Sequence, residues 1–213
     1  IVCDEGASLK VKSATSSSSQ KPDAGLKEIT FSDVGIADGT YQYNNGAISA
    51  AGTYEESNFD GTLFHADVTF SQTAYTRLNI GGVGEGTTGI QLRNTGGPSL
   101  KLEGAYVPGS GWFPEKEFDP TVAKTTLVGE EFNLKMSIQY VDQDGDGTKD
   151  EVKLGFWFDD VLYNNEYIYL DRPSKDYNMA ARFGNYVGIV CDEGASLKVK
   201  SATSSSSQKP DAG

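Results

Sequence analysis

Between Asp142 and Asp150 the chain reads DQDGDGTKD, which crowds Asp142, Asp144, Asp146 and Asp150 into one short loop around Gly147. The pattern D-x-D-x-D-G-x-x-D is that of the first nine positions of a calcium loop. Carboxylates at alternate positions converge on one hard cation, Gly147 permits the sharp turn, and the Thr148 carbonyl can add an oxygen. The closing bidentate glutamate of a helical calcium loop is missing, because Lys153 stands at that position, so Glu151 or water would have to replace it. A plain Asp/Gly-rich β-turn reads the same way. Repulsion among four carboxylates held in a tight loop favours calcium.

A second set of polar side chains falls on alternate positions of consecutive short runs: His65 and Asp67, then Tyr75, Arg77 and Asn79, then Gln91 and Arg93, then Lys101 and Glu103. If those runs are neighbouring strands, the set forms one continuous polar face with an aromatic, suited to gripping a glycan. The solvent side of an antiparallel sheet has the same composition. Trp112 and Phe113 sit in a Gly/Pro-rich stretch, placed to stack on a sugar ring or to plug the fold. Trp157 alternates with Phe156 and Phe158, so it is either an exposed platform or covered by a loop.

Catalytic patterns are poorly represented. The chain has a single histidine, no Gly-x-Ser-x-Gly elbow, and no Glu-x-Asp-x-x-Glu strand of the kind jelly-roll glucanases use. Glu55/Glu56 and Glu115/Glu117 read as solvated loop residues. The expectation is a protein that is not an enzyme.

The elements that must position these residues are strands. Helical periodicity is nearly absent, and short runs of period two are separated by Gly/Asn/Asp/Pro clusters. LKEITFSDV opens the series, followed by Thr40–Tyr43, an Asn44-Asn45-Gly46 corner and Ala47–Ala51, which reads as a hairpin. LFHADVTF turns Phe64, Ala66, Val68 and Phe70 one way. AYTRLNI does so with Leu78 and Ile80, GIQLRN with Ile90 and Leu92, and SLKLEGAY with Leu100 and Leu102. After a long loop, Val107–Pro120, EFNLKMSIQYV and EVKLGFWFDD flank the acidic turn. VLY, YIYL, NMAARFGNYVGIVC and ASLKVKS follow. About twelve to fourteen strands of this kind predict two packed antiparallel sheets.

Residues Ile1–Gly25 recur without change as Ile189–Gly213. The offset, 189 − 1 = 188, predicts a parent with near-identical tandem repeats, each long enough to fold alone. On that reading residues 1–13 are the closing strand of a preceding repeat, 14–25 a Ser-rich linker, 26–201 the domain and 202–213 the next linker. The spare strand Ala7–Ser13 is expected to contact a neighbouring bead or chain, because one domain offers one slot for it. Cys3 and Cys191 are then one position counted twice, either a buried apolar thiol or a disulfide between repeats. The net charge of −12 and the pI near 4.5 argue against nucleic-acid or anionic-lipid partners, and no apolar run is long enough to insert in a membrane.

The order FNLKMSIQYVD, acidic loop, EVKLGFWFDDVLYNN, then NMAARFGNYVGIVC and ASLKVKS resembles the concanavalin A-like, laminin-G-like jelly roll. It looks most like repeat modules of large surface proteins of Gram-positive bacteria. The likeness covers Leu26 to Ser201 and implies an all-β antiparallel β-sandwich in which LKEITFSDV and ASLKVKS lie side by side. It also implies an extracellular, cell-surface location. The function expected is a structural spacer or assembly unit whose partners are neighbouring repeats or copies. The alternative is a carbohydrate-binding adhesin repeat, with avidity from many weak sites.

Overall fold

A computed structural model describes residues 22–23, 25–55, 60–72, 75–84, 89–94, 96–104, 106–107, 111–112, 115–170 and 180–202, with the backbone alone at 106–107 and 111–112. The strand expected at 1–13, residues 14–21 and 24 of the linker expected at 14–25, residues 203–213 of the linker expected at 202–213, and Phe113 lie outside the described residues.

The chain is all-β, with two antiparallel sheets packed face to face. The eight-stranded sheet runs β13 (Val161–Leu162), β12 (Glu151–Phe158), β11 (Phe132–Val141), β4 (Gly61–Phe70), β16 (Ser196–Ser201), β2 (Gly39–Gln42). To it β1 (Lys27–Ile29) adds beside β4 and β14 (Ile168–Leu170) beside β12. The six-stranded sheet runs β10 (Glu115–Glu117), β7 (Lys101–Glu103), β6 (Ile90–Asn94), β5 (Thr76–Gly82), β15 (Tyr186–Cys191), β3 (Ala50–Thr53). A separate ribbon pairs β8 (Tyr106–Val107) with β9 (Gly111–Trp112). Pairing is antiparallel throughout except for β1 on β4.

Alternation decides which side chains meet between the sheets. Phe64, Ala66, Val68 and Phe70 of β4, Leu134 and Met136 of β11, and Leu154 and Phe158 of β12 face Leu78, Ile80, Ile90 and Leu92 of the other sheet, all at 2% exposure or less. Phe118, just past β10, plugs the stack edge-on against Phe158 and Tyr163. The chain crosses between sheets from β2 to β3, β3 to β4, β4 to β5, β10 to β11, β14 to β15 and β15 to β16, the weave of a jelly roll.

Three expectations change. The Asn44-Asn45-Gly46 turn forms, with positive φ at Asn45 and Gly46 and a hydrogen bond from the Ala47 amide to the Asn44 carbonyl. Yet the strands it joins, β2 and β3, belong to opposite sheets, so it is an arch and not a hairpin. The opening segment does not pair with the closing one: β1 lies beside Thr62–Phe64 and β16 beside Ala66–Phe70, end to end along one flank of β4. The stretch Val107–Pro120, read as one long loop, contains β9 and β10 and runs into the short helix α1 (Pro120–Ala123), capped by Asp119. As a result Glu115 and Glu117 sit on an edge strand, where charge discourages pairing with another chain.

Candidate functional site

The structure divides the polar stripe between the two sheets. β4 and β5 are joined by a crossing, so His65 and Asp67 lie on the outer face of the eight-stranded sheet. Arg77, Asn79, Gln91 and Arg93 lie on the outer face of the six-stranded sheet. The expectation that Asp67 and Arg77 share a side with His65 is therefore corrected. On their own sheet His65 and Asp67 are tied together by Asn133, whose Nδ2 donates to Asp67 Oδ1 at 2.9 Å and lies 2.9 Å from His65 Nε2. Burial, with the nearby Lys135 ammonium, lowers the His65 pKa and keeps the ring neutral at pH 7.

The remaining members converge in two adjacent rows across the six-stranded sheet. One row is Arg77, Arg93, Lys101 and Glu117, each opposite the next. The other is Gly188, Asn79, Gln91, Glu103 and Glu115. Cations directly opposite one another repel, and here only part of that repulsion is offset. Arg93 forms an ion pair with Glu103, and Lys101 reaches Glu115 at 3.4 Å. The two guanidiniums share the ring of Tyr75, at 5.2 Å for Arg77 and 5.5 Å for Arg93. Arg93 Nη1 also donates to the Tyr75 hydroxyl at 3.1 Å. Burial works against the Arg93 charge, but the Tyr75 hydrogen bond and Glu103 outweigh it and raise the pKa.

The middle of this face has little contact with solvent. Asn79, Gln91 and Glu103 are buried at 3%, 4% and 6% exposure, and the arginines are half-buried. The Asn79 side-chain carbonyl and the Nε atoms of both arginines are shielded from water without a hydrogen-bond partner among the described residues. Sequence reasoning missed Tyr186, which lies on the same face: a Cβ at Gly188 would stand 2.6–2.9 Å from its ring and hydroxyl, so the ring lies across that glycine beside Asn79. The signal was present, an aromatic two residues before a glycine on one face of a strand.

The tryptophans fare differently. Trp157 is 1% exposed, folded over Gly155 and covered by Leu63, Leu162, Leu26 and Tyr167, so it is a covered residue and not a platform. Of Trp112 only the backbone is described, opposite Tyr106.

In the acidic loop the oxygens of Asp142, Asp144 and Glu151 lie within 4.8 Å of one another. Calcium takes oxygen ligands at 2.3–2.6 Å, so ligands on opposite sides stand about 5 Å apart, and the spacing fits one ion. Glu151 is one of the two replacements the calcium reading allowed, the other being water; the Asp146 and Asp150 carboxylates stand outside this group, and Lys153 pairs with Asp23 at 2.6 Å. The carboxylates also cap the turn: Asp142 accepts from the Gly145, Asp146 and Gly147 amides at 2.8–3.0 Å, and Asp146 from that of Thr148 at 2.8 Å. Asp144 accepts from the Asp146 amide at 3.2 Å, so a backbone role alone accounts for three of the four aspartates.

Cys191 is a free, buried thiol at 1% exposure, and burial raises its pKa. Among the described residues no helix is long and apolar enough to cross a membrane.

No family model and no curated protein matches the sequence. Solved structures do. The carbohydrate-binding module (CBM40) of the Ruminococcus gnavus IT-sialidase, bound to alpha2,3 sialyllactose, is 12% identical over 79% of this chain and 90% of its own, with a TM-score of 0.35. Galectin-1-L2 of Dario rerio is 10% identical over 78% of this chain and 100% of its own, also with a TM-score of 0.35. Congerin II, as the Y16S mutant, is 13% identical over 76% and 98%, with a TM-score of 0.33.

Proposed function

We propose that this chain is a carbohydrate-binding module and that its site is the outer face of the six-stranded sheet. One observation carries the proposal: Arg77 and Arg93 stand opposite each other over Tyr75, beside buried amides, with the Asn79 carbonyl lacking a hydrogen-bond partner among the described residues. A passive spacer needs none of this, because like charges across a strand pair and an unsatisfied buried carbonyl both cost stability. A saccharide repays those costs. Its hydroxyls pair with Asn79 and Gln91, its apolar ring face rests on an aromatic, and a carboxylate on the sugar bridges the arginines. Arg93 is matched by Glu103 and Lys101 by Glu115 and Glu117, which leaves the Arg77 guanidinium, without an ion pair among the described residues, to favour a carboxylate-bearing saccharide over a neutral one.

The spacer or assembly reading is favoured by a different observation, the duplicated terminal segment, and is compatible with binding, since repeated weak sites gain by avidity. We infer an extracellular, cell-surface location as part of the same reading.

The test is titration of the chain with neutral and carboxylate-bearing oligosaccharides. The expected result is saturable binding of the acidic set, weakened about 10- to 100-fold by Arg77→Ala, the loss of one charged hydrogen bond. Equal binding by the parent and by Arg77→Ala would remove the site from this face.

A further inference from the structure

The segment Ile189–Ser201, IVCDEGASLKVKS, is present a second time as Ile1–Ser13. In the fold its later part, β16, is an interior strand between β2 and β4. Leu197 and Val199 are fully buried opposite Phe70 and Val68, while Lys198 and Lys200 on the other face pair with Glu131 at 3.2 and 2.6 Å. Whatever this slot requires of a strand, Ser8–Ser13 meets letter for letter. Side-chain chemistry cannot prefer one copy over the other, so only connectivity can.

Connectivity permits both. The slot ends at Ser201, where the Ser32 amide donates to the Ser201 hydroxyl at 2.9 Å. The incoming chain is fixed at Asp23, whose carboxylate accepts from Lys153 on β12. Lys153 lies level with Gln139 and Gly61, and Ser201 level with Ala66. That is five residues along β4 and three strands across, about 22 Å. Ser13 is ten positions before Asp23, and ten extended residues reach about 33 Å. A tethered segment competes at an effective concentration near millimolar, well above that of other chains in dilute solution.

We propose that Ser8–Ser13 is an interchangeable filling for the place of β16, so that the chain closes its own sandwich with either terminal copy. This inference is independent of the saccharide site.

The test uses the full chain. Val199→Asp puts a charge in the core position of the resident strand, and Val11→Asp does the same to the spare one. Each single variant is expected to unfold cooperatively within a few degrees of the parent, and the double variant to lose the cooperative transition. A Val199→Asp chain as unfolded as the double variant overturns the proposal. A second measurement leaves the core intact. With Cys3 and Cys191 replaced by alanine, Thr69→Cys is paired with Lys10→Cys, because Lys198 stands opposite Thr69. An internal disulfide in the monomer is the expected product. No crosslink, under conditions where Thr69→Cys with Lys198→Cys closes, overturns the proposal, and a crosslinked dimer overturns the assignment to the chain's own terminus.

Discussion

Asn79 shows at the scale of one residue what distinguishes a site from a surface. Its carbonyl is shielded and has no hydrogen-bond partner among the described residues, and leaving such a group buried costs about 1–3 kcal/mol. Asn79→Leu is therefore expected to leave stability unchanged or raise it by about 1 kcal/mol while abolishing saccharide binding. Urea unfolding and ligand titration of the same sample check both halves. A clear loss of stability would make the amide structural. Asp142 is the opposite case, because its carboxylate holds three turn amides. Asp142→Ala is expected to cost about 1–2 kcal/mol even in chelator, in line with the loss of a side-chain cap. The D-x-D-x-D-G spacing adds a second expectation: calcium raises the melting temperature of the parent and not of Asp142→Ala or Glu151→Gln. Identical melting curves of the parent in calcium and in chelator would leave the carboxylates as turn caps only.

Single strands were legible in the sequence, and their partners were not. Phe64, Phe70, Leu78 and Leu134 point inward as alternation requires, since period two tells the two faces of a strand apart. It says nothing of which sheet a strand joins. Five residues between Phe70 and Thr76 suit a hairpin as well as a crossing, and the fold takes the crossing, which is why His65 parts from Arg77. Within the six-stranded sheet the alternation did assemble Arg77, Asn79, Gln91 and Arg93. Trp157 was unreadable for another reason: an outward-facing aromatic gives no sign that Leu26 and Tyr167 will cover it. The same lid supplies a prediction about β12. A Cβ at Gly155 would stand 2.4–2.7 Å from the Trp157 ring and Ser137 Oγ, and the ring is already packed. Gly155→Ala is expected to destabilise by about 1–3 kcal/mol, as overpacking does, seen as a lower urea midpoint. An unchanged midpoint would mean the tryptophan is loosely held.

For the whole molecule, pH sets two opposing effects against each other. Net charge is −12, and acidification toward the pI near 4.5 relieves self-repulsion, which favours the compact state. Against this stands His65, whose pKa burial lowers from 6.5, with Lys135 across on β11 adding to the effect and Asp67 and Glu28 on β4 and β1 opposing it. Above 6.5 both folded and unfolded chains hold it neutral and it contributes nothing to the pH slope. As pH falls below 6.5 the unfolded chain takes up the proton first, so folding loses stability down to the lowered folded value. Carboxylates act in the same direction but later. Asp23, held low chiefly by Lys153 against some burial, and Glu131, held low by Lys200 and Lys198, contribute stability above their ordinary values of 3.8 and 4.5. That stability drains only as pH drops through the folded values. Between pH 7.5 and 5.5 these carboxylates stay ionised, so His65 is the local group that opposes the relief of repulsion. The parent is expected to gain less stability over that interval than His65→Gln, which keeps a hydrogen-bonding partner for Asn133 and cannot titrate. Urea midpoints of the two proteins at pH 7.5 and 5.5 measure the difference. Parallel slopes would show that Asn133 and Asp67 accommodate the protonated ring as readily as water does.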